Sequence, residues 1–192
     1  MRIVLASTSR HRRALMDRLG LDYEAASPAC DEDLAPGTDP ERGTIELSLR
    51  KARSVADRFP GAAVVGADQM AVLDGERLHK PGTPERAVAQ LERLAGRTHD
   101  LWTGIALVEA VPGGRERATS IRVRMTMRAL GPGEAARYVE KDGPLDCCGS
   151  YRFESLGASL FEAVETPDPT AIPGLPLMKL TGWLRDLGFE VP

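Results

Sequence analysis

A short apolar run that leads directly into a glycine and an acid constrains the fold of this chain more than any other stretch. Residues 62–65 read Ala-Ala-Val-Val, which indicates a buried strand, because so short a run is typical of strands and not of helices. We predict that this strand ends at Gly66 and that Asp68 follows just beyond it. Open α/β sheets bind ligands at the carboxyl ends of their strands, so Asp68 is a candidate site residue. The alternative interpretation is a solvated aspartate at an ordinary strand end.

The residues after Asp68 predict a small hairpin. Asp74-Gly75 is a tight-turn signal, and residues 70–73 and 76–79 would form its two strands. Such a hairpin would return Lys80 towards Asp68, so that an acid and a phosphate-binding cation would share one cleft. A lysine that is simply solvated is the alternative.

Length and charge limit the classes of protein to which the chain can belong. Its 192 residues and 20.7 kDa suit one domain, or one domain with two lobes. A net charge of −3 provides no general attraction to nucleic acid or to anionic membranes. No apolar run reaches the ~18 residues of a membrane span, and the apolar stretch at residues 3–6 is too short for a signal peptide.

The cysteines and histidines favour a reducing compartment and argue against a zinc site. The 3 cysteines are odd in number, and two of them, Cys147 and Cys148, are adjacent. We therefore expect free thiols and a cytoplasmic protein. There is no CxxC spacing, and the histidines are scattered along the chain.

The first element has the pattern of an anion-binding turn. Residues 2–6 predict a strand, and Ser9 is a plausible N-cap for a helix that would run to Leu19. The first helical turn contains Arg10 to Arg13 with His11 among them, although cations at a helix N-terminus oppose the helix dipole. A bound anion would reverse that penalty, and solvated arginines are the alternative.

Two stretches of the next segment are ambiguous from the residues alone. Asp31-Glu32-Asp33 suits a Mg²⁺ or Mn²⁺ site, but three consecutive acids are more often a solvated bulge, and the residues themselves favour the bulge. Asp39-Pro40 begins a helix that we expect to run to about Arg58. Lys51 lies off the centre of its apolar stripe, so the spacing does not decide between the surface and a cleft.

The second half alternates helices and strands. We predict a helix from Thr83-Pro84 to Gly96, strands at residues 98–109 and 119–129, and a short helix ending near Glu140. The strand at 119–129 alternates apolar residues with Arg122, Arg124 and Arg128, an arginine row that is a solvated face or, less often, a nucleic-acid surface. A last helix should bury four leucines, namely Leu177, Leu180, Leu184 and Leu187.

The familiar motifs for nucleotide and acyl chemistry are absent. The chain contains no GxxxxGK[ST] loop, no GxGxxG after a strand and no GxSxG turn. The features that remain as candidates are a basic first helical turn, scattered acidic residues and two lysines. These parts suit metal-assisted attack on a nucleoside polyphosphate.

Taken together, the motifs resemble those of the Maf family of nucleoside triphosphate pyrophosphatases, in the same order along nearly the whole chain. The stretch from Leu5 to Ser9 followed by Arg12 to Leu15 resembles the family's opening motif. The later matching blocks are Gly66-Ala67-Asp68-Gln69, Lys80-Pro81, Leu94-Ala95-Gly96 with His99, Thr103-Gly104 and Gly174-Leu175-Pro176-Leu177. Four further blocks resemble the branch that acts on 7-methyl-GTP, namely Asp68-Gln69, Val72 to Gly75, Pro144 to Cys147 and Cys148 to Tyr151.

The resemblance implies a single Maf/ITPase-like domain over residues 1–192. The implied fold is α/β, with a mixed, strongly bent sheet flanked by helices and two lobes around a central cleft. The implied activity is hydrolysis of a nucleoside triphosphate to its monophosphate and pyrophosphate with Mg²⁺ or Mn²⁺, which removes modified nucleotides from the cytoplasmic pool. It also implies a small-molecule nucleotide as the partner and a protein that is often a homodimer. The net charge and the short apolar runs argue against a membrane or nucleic-acid partner.

The resemblance also assigns roles to individual residues. Asp68 matches the proton acceptor that activates water, or a ligand of the metal that acidifies it, and the sequence leaves these two roles open. Glu32 matches an acidic metal-site position. The phosphate-binding positions are matched by Ser7, Arg12, Lys51 and Lys80.

Base selection is implied for His11, Gln69 and Glu154. An aromatic ring favours the positively charged 7-methylguanine, and a carboxylate accepts hydrogen bonds from the guanine N–H edge. The chain departs from the pattern in having Arg10 where the family usually has proline, and His11 where the branch has tryptophan. A dTTP or UTP pyrophosphatase and a non-catalytic division regulator that binds nucleotides or nucleic acid are the alternatives.

Overall fold

The computed structural model describes residues 1–191, and the contacts within it define two compact units. The first unit contains residues 1–68, 103–121 and the chain from 168 onwards. The second unit contains residues 69–102 and 122–167. Each unit is therefore assembled from segments that are distant in sequence.

The chain forms a mixed sheet with helices, as expected for the α/β class. The strands are β1 (Arg2–Leu5), β2 (Tyr23–Ala25), β3 (Ala62–Leu73), β4 (Glu76–Leu78), β5 (Thr98–Glu109), β6 (Glu116–Met127) and β7 (Phe161–Glu165). The helices are α1 (Arg10–Asp17), α2 (Pro40–Ala56), α3 (Pro84–Leu94), α4 (Glu134–Asp142) and α5 (Leu177–Asp186), with 3₁₀ turns at Leu156–Leu160 and Pro169–Ala171. The strand order is β2-β1-β3-β5-β6-β7 with β4 beside β3. Strand β1 is parallel to β2 and β3, whereas the β3–β4 and β6–β7 pairs are antiparallel.

The predicted helix starts are confirmed because they depend on local chemistry. Ser9, Asp39 and Thr83 each accept a hydrogen bond from the backbone N–H three residues later, at 3.5, 3.1 and 3.4 Å. Proline follows Asp39 and Thr83 at the first helical position, where its missing N–H has no cost.

The predicted strand end at Gly66 is wrong. Strand β3 continues through Gly66 and Asp68 to Leu73, so Asp68 lies inside a long strand. What ends near Gly66 is the parallel pairing with β1, whose last paired residues are Leu5 and Val65. Gly66 has a packing role instead, since a Cβ atom there would lie 2.2 Å from the Ser48 carbonyl oxygen of α2.

In the first unit, the two faces of the sheet carry two separate apolar clusters. Alternate strand residues such as Ile3, Leu5 and Val65 pack with side chains of α1 and α5. The intervening residues, Val4 and Val64 among them, pack with side chains of α2. In α5, three of the predicted leucines are buried, namely Leu177, Leu180 and Leu184. Leu187 is only partly buried because it lies just beyond the helix.

In the second unit, the predicted hairpin is present and the sheet carries an aromatic cluster. Ala71 pairs with Leu78 across the turn at Asp74-Gly75. Strand β6 begins and ends earlier than the predicted 119–129, with its apolar residues Val123, Met125 and Met127 buried. No helix within residues 1–191 combines the length and the apolar character that a membrane crossing requires.

Candidate active site

A buried ion pair between Asp68 and Lys51 forms the centre of the candidate site in the first unit. The Lys51 Nζ donates to Asp68 Oδ1 at 2.6 Å, and the two side chains expose only 8% and 7% of their surface. Within residues 1–191, Asp68 Oδ2 is buried and has no hydrogen-bond partner. A buried carboxylate oxygen without a donor is costly, and such atoms are concentrated at functional sites.

The packing of α2 on β3 explains how the two side chains meet. Alternate residues of a strand share a face, so Val64, Gly66 and Asp68 all face α2. Gly66 lets the backbone of α2 approach at Ser48 and Ala52. Lys51 lies between these two residues in sequence, and its side chain therefore reaches Asp68. The position of Lys51, which the sequence left undecided, is the buried one.

The acidic loop contributes a second carboxylate to the same lysine. Glu32 Oε2 lies 3.1 Å from Lys51 Nζ, although 58% of the Glu32 side chain is exposed. Glu32 is thus more than half exposed, as a solvated bulge would be, but it also contacts Lys51, and its role as a metal ligand stays a prediction. Two carboxylates around one ammonium leave a net negative charge that attracts a cation.

The chemistry of this cluster fits a divalent metal ion. Mg²⁺ and Mn²⁺ prefer carboxylate oxygens, and Asp68 Oδ2 and Glu32 are the oxygens available beside Lys51. The buried, unpartnered Oδ2 is the observation that supports the fit.

The turn between β1 and α1 holds two further predicted residues in the same unit. Ser7 is buried, and its Oγ accepts the backbone N–H of Ser9 at 3.1 Å. Arg12 lies in the first turn of α1, and its Nε donates to the Gly174 carbonyl oxygen at 2.9 Å. This contact fixes the plane of the guanidinium at the N-terminus of α1. His11 is half-buried in the same turn, with its Nε2 3.3 Å from Arg10 Nε.

The remaining predicted residues belong to the second unit. Lys80 and Glu154 are exposed, and Gln69 is half-buried. The Cys148 Sγ lies 3.8 Å from Gln69 Oε1, a distance at which a thiol acts as a weak donor. The roles of these three residues stay predictions.

Two of the three cysteines, Cys30 and Cys147, are poorly suited to nucleophilic chemistry. None of the three forms a disulfide bond. Burial raises the pKa of Cys30, despite the nearby Lys51, and raises the pKa of Cys147 to about 12. Both thiols are therefore protonated at neutral pH, whereas the thiolate is the reactive form.

The arginine row of β6 carries its own counter-charges. Arg122 donates to both carboxylate oxygens of Asp100, at 2.9 and 2.7 Å, and stacks over Trp102. Arg128 forms a similar two-bond pair with Glu134. Phosphates would have to displace these carboxylates, which weakens the case for a nucleic-acid surface.

The sequence predicts no site role for two residues that contribute to the geometry of the site. Gly66 suggests a strand end in the sequence, but a lone glycine inside a strand pattern also signals close backbone approach. Arg50 binds backbone carbonyls of the acidic loop. Its position four residues after Glu46 indicates only an ordinary helical ion pair.

The chain is similar over its full length to proteins of known name. The model of a family described as Maf-like protein matches residues 2–187. A protein of Xanthomonas axonopodis pv. citri named 7-methyl-GTP pyrophosphatase is 44% identical over 191 residues, which cover 100% of this chain and 99% of that protein. Proteins of the same name from Aromatoleum aromaticum and Pseudomonas aeruginosa are 43% and 42% identical, and each match covers 98% of the relative and at least 99% of this chain.

Solved structures share the fold at low identity. The Staphylococcus aureus Ham1 protein superposes with a TM-score of 0.55 at 13% identity, covering 97% of this chain and 100% of that one. A HAM1 protein from Coxiella burnetii gives a TM-score of 0.54 at 18% identity, covering 97% and 99%. These similarities confirm the expected fold class.

Proposed function

The chain belongs to the Maf family, and we propose that it hydrolyses 7-methyl-GTP to 7-methyl-GMP and pyrophosphate. The observation that carries the proposal is the Asp68 carboxylate, which is bound through one oxygen to a buried lysine while its other oxygen has no partner. The relatives that are 42–44% identical over their full length, and that carry this name, support the choice of substrate.

We propose that Asp68 accepts the proton of the attacking water. Its Oδ2 takes the proton as the water oxygen forms a bond to the α-phosphorus. The bond between the α-phosphorus and the bridging oxygen to the β-phosphorus breaks, and pyrophosphate leaves with that oxygen. Lys51 holds Asp68 in place through Oδ1, so the carboxylate does not have to reorganise during the reaction.

Cationic and hydroxyl groups would bind the triphosphate. Ser7 and Arg12 lie at the N-terminus of α1, where backbone N–H groups and the helix dipole favour an anion. Lys51 and Lys80 are the two lysines of the proposed set. An anion also offsets the repulsion between the basic first turn and the helix dipole.

Glu32 and Asp68 are the residues that would hold a Mg²⁺ or Mn²⁺ ion. When bound, the ion supplies positive charge that neutralises the phosphates and lowers the pKa of a water molecule. Lys51 balances part of the carboxylate charge and keeps both acids within reach of one another.

His11, Gln69 and Glu154 are proposed to select the base. The exposed Glu154 carboxylate suits the N–H edge of guanine, and the imidazole of His11 provides an aromatic face for a cationic ring. The enzyme would act in the cytoplasm as a homodimer and remove a modified nucleotide from the pool.

A nucleotide panel tests the proposal. We expect pyrophosphate release from 7-methyl-GTP with Mg²⁺ or Mn²⁺, at a higher kcat/KM than from GTP, dTTP or UTP. Preference for dTTP or UTP would assign the chain to the other activity of the family. Absence of pyrophosphate release from every nucleotide would contradict the enzyme assignment.

Asp68→Asn tests the residue on which the chemistry depends. We predict a loss of at least about 100-fold in kcat, because the amide of asparagine is a poor proton acceptor. The fold should be retained, because asparagine and aspartate are similar in size. The matched control is Asp186→Asn, which removes a charge from an exposed ion pair in the same unit and should leave kcat unchanged. An Asp68→Asn variant with wild-type kcat would exclude Asp68 as the base.

A further inference from the structure

One arginine of α2 holds the acidic loop on both sides of Glu32. The Arg50 Nη1 donates to the carbonyl oxygen of Asp31 at 3.2 Å and to that of Asp33 at 2.8 Å. These are the two backbone carbonyls of the residues that flank Glu32. The other terminal nitrogen, Nη2, pairs with the Glu46 carboxylate one turn earlier on the same helix.

Two further contacts hold the same loop. The Ala29 N–H donates to Ser54 Oγ at 3.2 Å, and the Asp33 N–H donates to Asp31 Oδ1 at 2.9 Å. The segment between β2 and α2 has no helix or strand of its own, so side-chain contacts of this kind determine its position. Arg50 alone among these groups binds the backbone on both sides of Glu32.

The contacts of Arg50 with the loop limit where the Glu32 carboxylate can lie. Glu32 is largely exposed, and ordering both its free side chain and its backbone costs conformational entropy. Because Arg50 fixes the backbone, only the side-chain cost remains when Glu32 approaches Lys51. Lys51 and Arg50 are consecutive on α2, so one helix holds both the carboxylate and the backbone that carries it.

We propose that Arg50 is a positioning residue that holds Glu32 beside Lys51 and Asp68. It acts through the backbone of the acidic loop and itself supplies no ligand to a metal ion. The proposal rests on the proposed function in one respect, namely that Glu32 and Asp68 hold the divalent ion.

The test compares Arg50→Ala with Arg53→Ala. Arg53 lies on the same helix, is exposed and pairs with Glu116, so its removal changes the charge of α2 by the same amount without touching the loop. In Arg50→Ala we expect faster amide hydrogen exchange at residues 31–34 and about tenfold weaker Mn²⁺ binding by the nucleotide-free protein. The Mg²⁺ concentration for half-maximal activity should rise by the same factor, with kcat at saturating Mg²⁺ within about twofold of wild type. Arg53→Ala should change none of these quantities.

A double variant separates positioning from a general loss of stability. In a Glu32→Gln background, Arg50→Ala should weaken Mn²⁺ binding no further, because the residue that it positions has already lost its charge. Additive losses would overturn the proposal. So would equal effects of Arg50→Ala and Arg53→Ala, or faster exchange of the loop with unchanged Mn²⁺ affinity.

The readouts also separate this proposal from the proposed function. Hydrogen exchange and Mn²⁺ binding are measured without substrate. A wild-type protein that releases no pyrophosphate from any nucleotide would contradict the enzyme assignment, while the two substrate-free measurements would still decide the role of Arg50.

Discussion

His99 is a buried titratable residue whose neighbours keep it neutral. Its Nε2 lies 2.8 Å from the Tyr151 hydroxyl, and its ring packs on the rings of Tyr151 and Phe161. Burial lowers the pKa of His99 from 6.5 to about 4, although the nearby Asp100 opposes the shift. The unfolded chain therefore binds a proton near pH 6.5 that the folded protein does not bind until about pH 4.

This difference predicts how stability depends on pH. The free energy of unfolding is unaffected by His99 above pH 6.5 and falls as the pH drops towards 4, because protons favour the unfolded chain in that window. The expected loss is about 2 kcal/mol at pH 5. Urea titrations of wild type and His99→Gln should show a flatter pH dependence in the variant. His79→Gln, which removes an exposed histidine, should retain the wild-type dependence. Identical profiles for wild type and His99→Gln would contradict the assignment.

The positions of Asp68, Lys51 and Glu32 differ in how far they can be predicted from the sequence. Asp68 can be predicted as a candidate because an acid that follows a buried apolar run is recognisable from consecutive residues alone. The burial of Lys51 was not predictable, because a lysine beside an apolar stripe enters the interior only when a carboxylate faces it from another element. For Glu32, the residues alone favour a solvated bulge, and its role at a metal site comes from the family resemblance; the structure adds its contact with Lys51.

Among the elements, the contact of α2 with the sheet determines the geometry of the site. Gly66 of β3 and Gly104 of β5 both face α2, and a Cβ atom on either would lie 2.2 Å from a helix carbonyl oxygen, that of Ser48 or of Thr44. Helix caps were predicted correctly because each depends on a few consecutive residues. The end of β3 was not, because the glycine that suggested it is explained by its packing against α2, a tertiary contact that consecutive residues do not reveal.

Gly66→Ala should therefore damage both stability and activity. Overpacking at this contact is expected to lower the free energy of unfolding by about 1–3 kcal/mol. It should also lower kcat, because α2 must move and carry Lys51 away from Asp68. Gly182→Ala on α5 is the control, since its Cβ atom would meet nothing within 4 Å and should stabilise the protein by up to about 1 kcal/mol. Chemical denaturation and turnover of the same preparations measure both effects, and wild-type stability of Gly66→Ala would show that the contact is not tight.

Each of the two units contains chain segments from both halves of the sequence. The resemblance to the Maf family implies one domain with a mixed sheet and helices, and the mixed sheet is confirmed by its parallel and antiparallel pairs. The boundaries of the units were not predicted. Three of the four fall inside β3, β5 and β6, and a long strand gives no sequence signal where its residues change from one unit to the other.

In the proposed reaction, water activated at Asp68 attacks the α-phosphorus of 7-methyl-GTP. The position of attack is measured by carrying out the reaction in H₂¹⁸O and locating the label by mass spectrometry. We expect one ¹⁸O atom in 7-methyl-GMP and none in pyrophosphate. Label in the pyrophosphate, or in inorganic phosphate released from the γ-position, would contradict attack at the α-phosphorus.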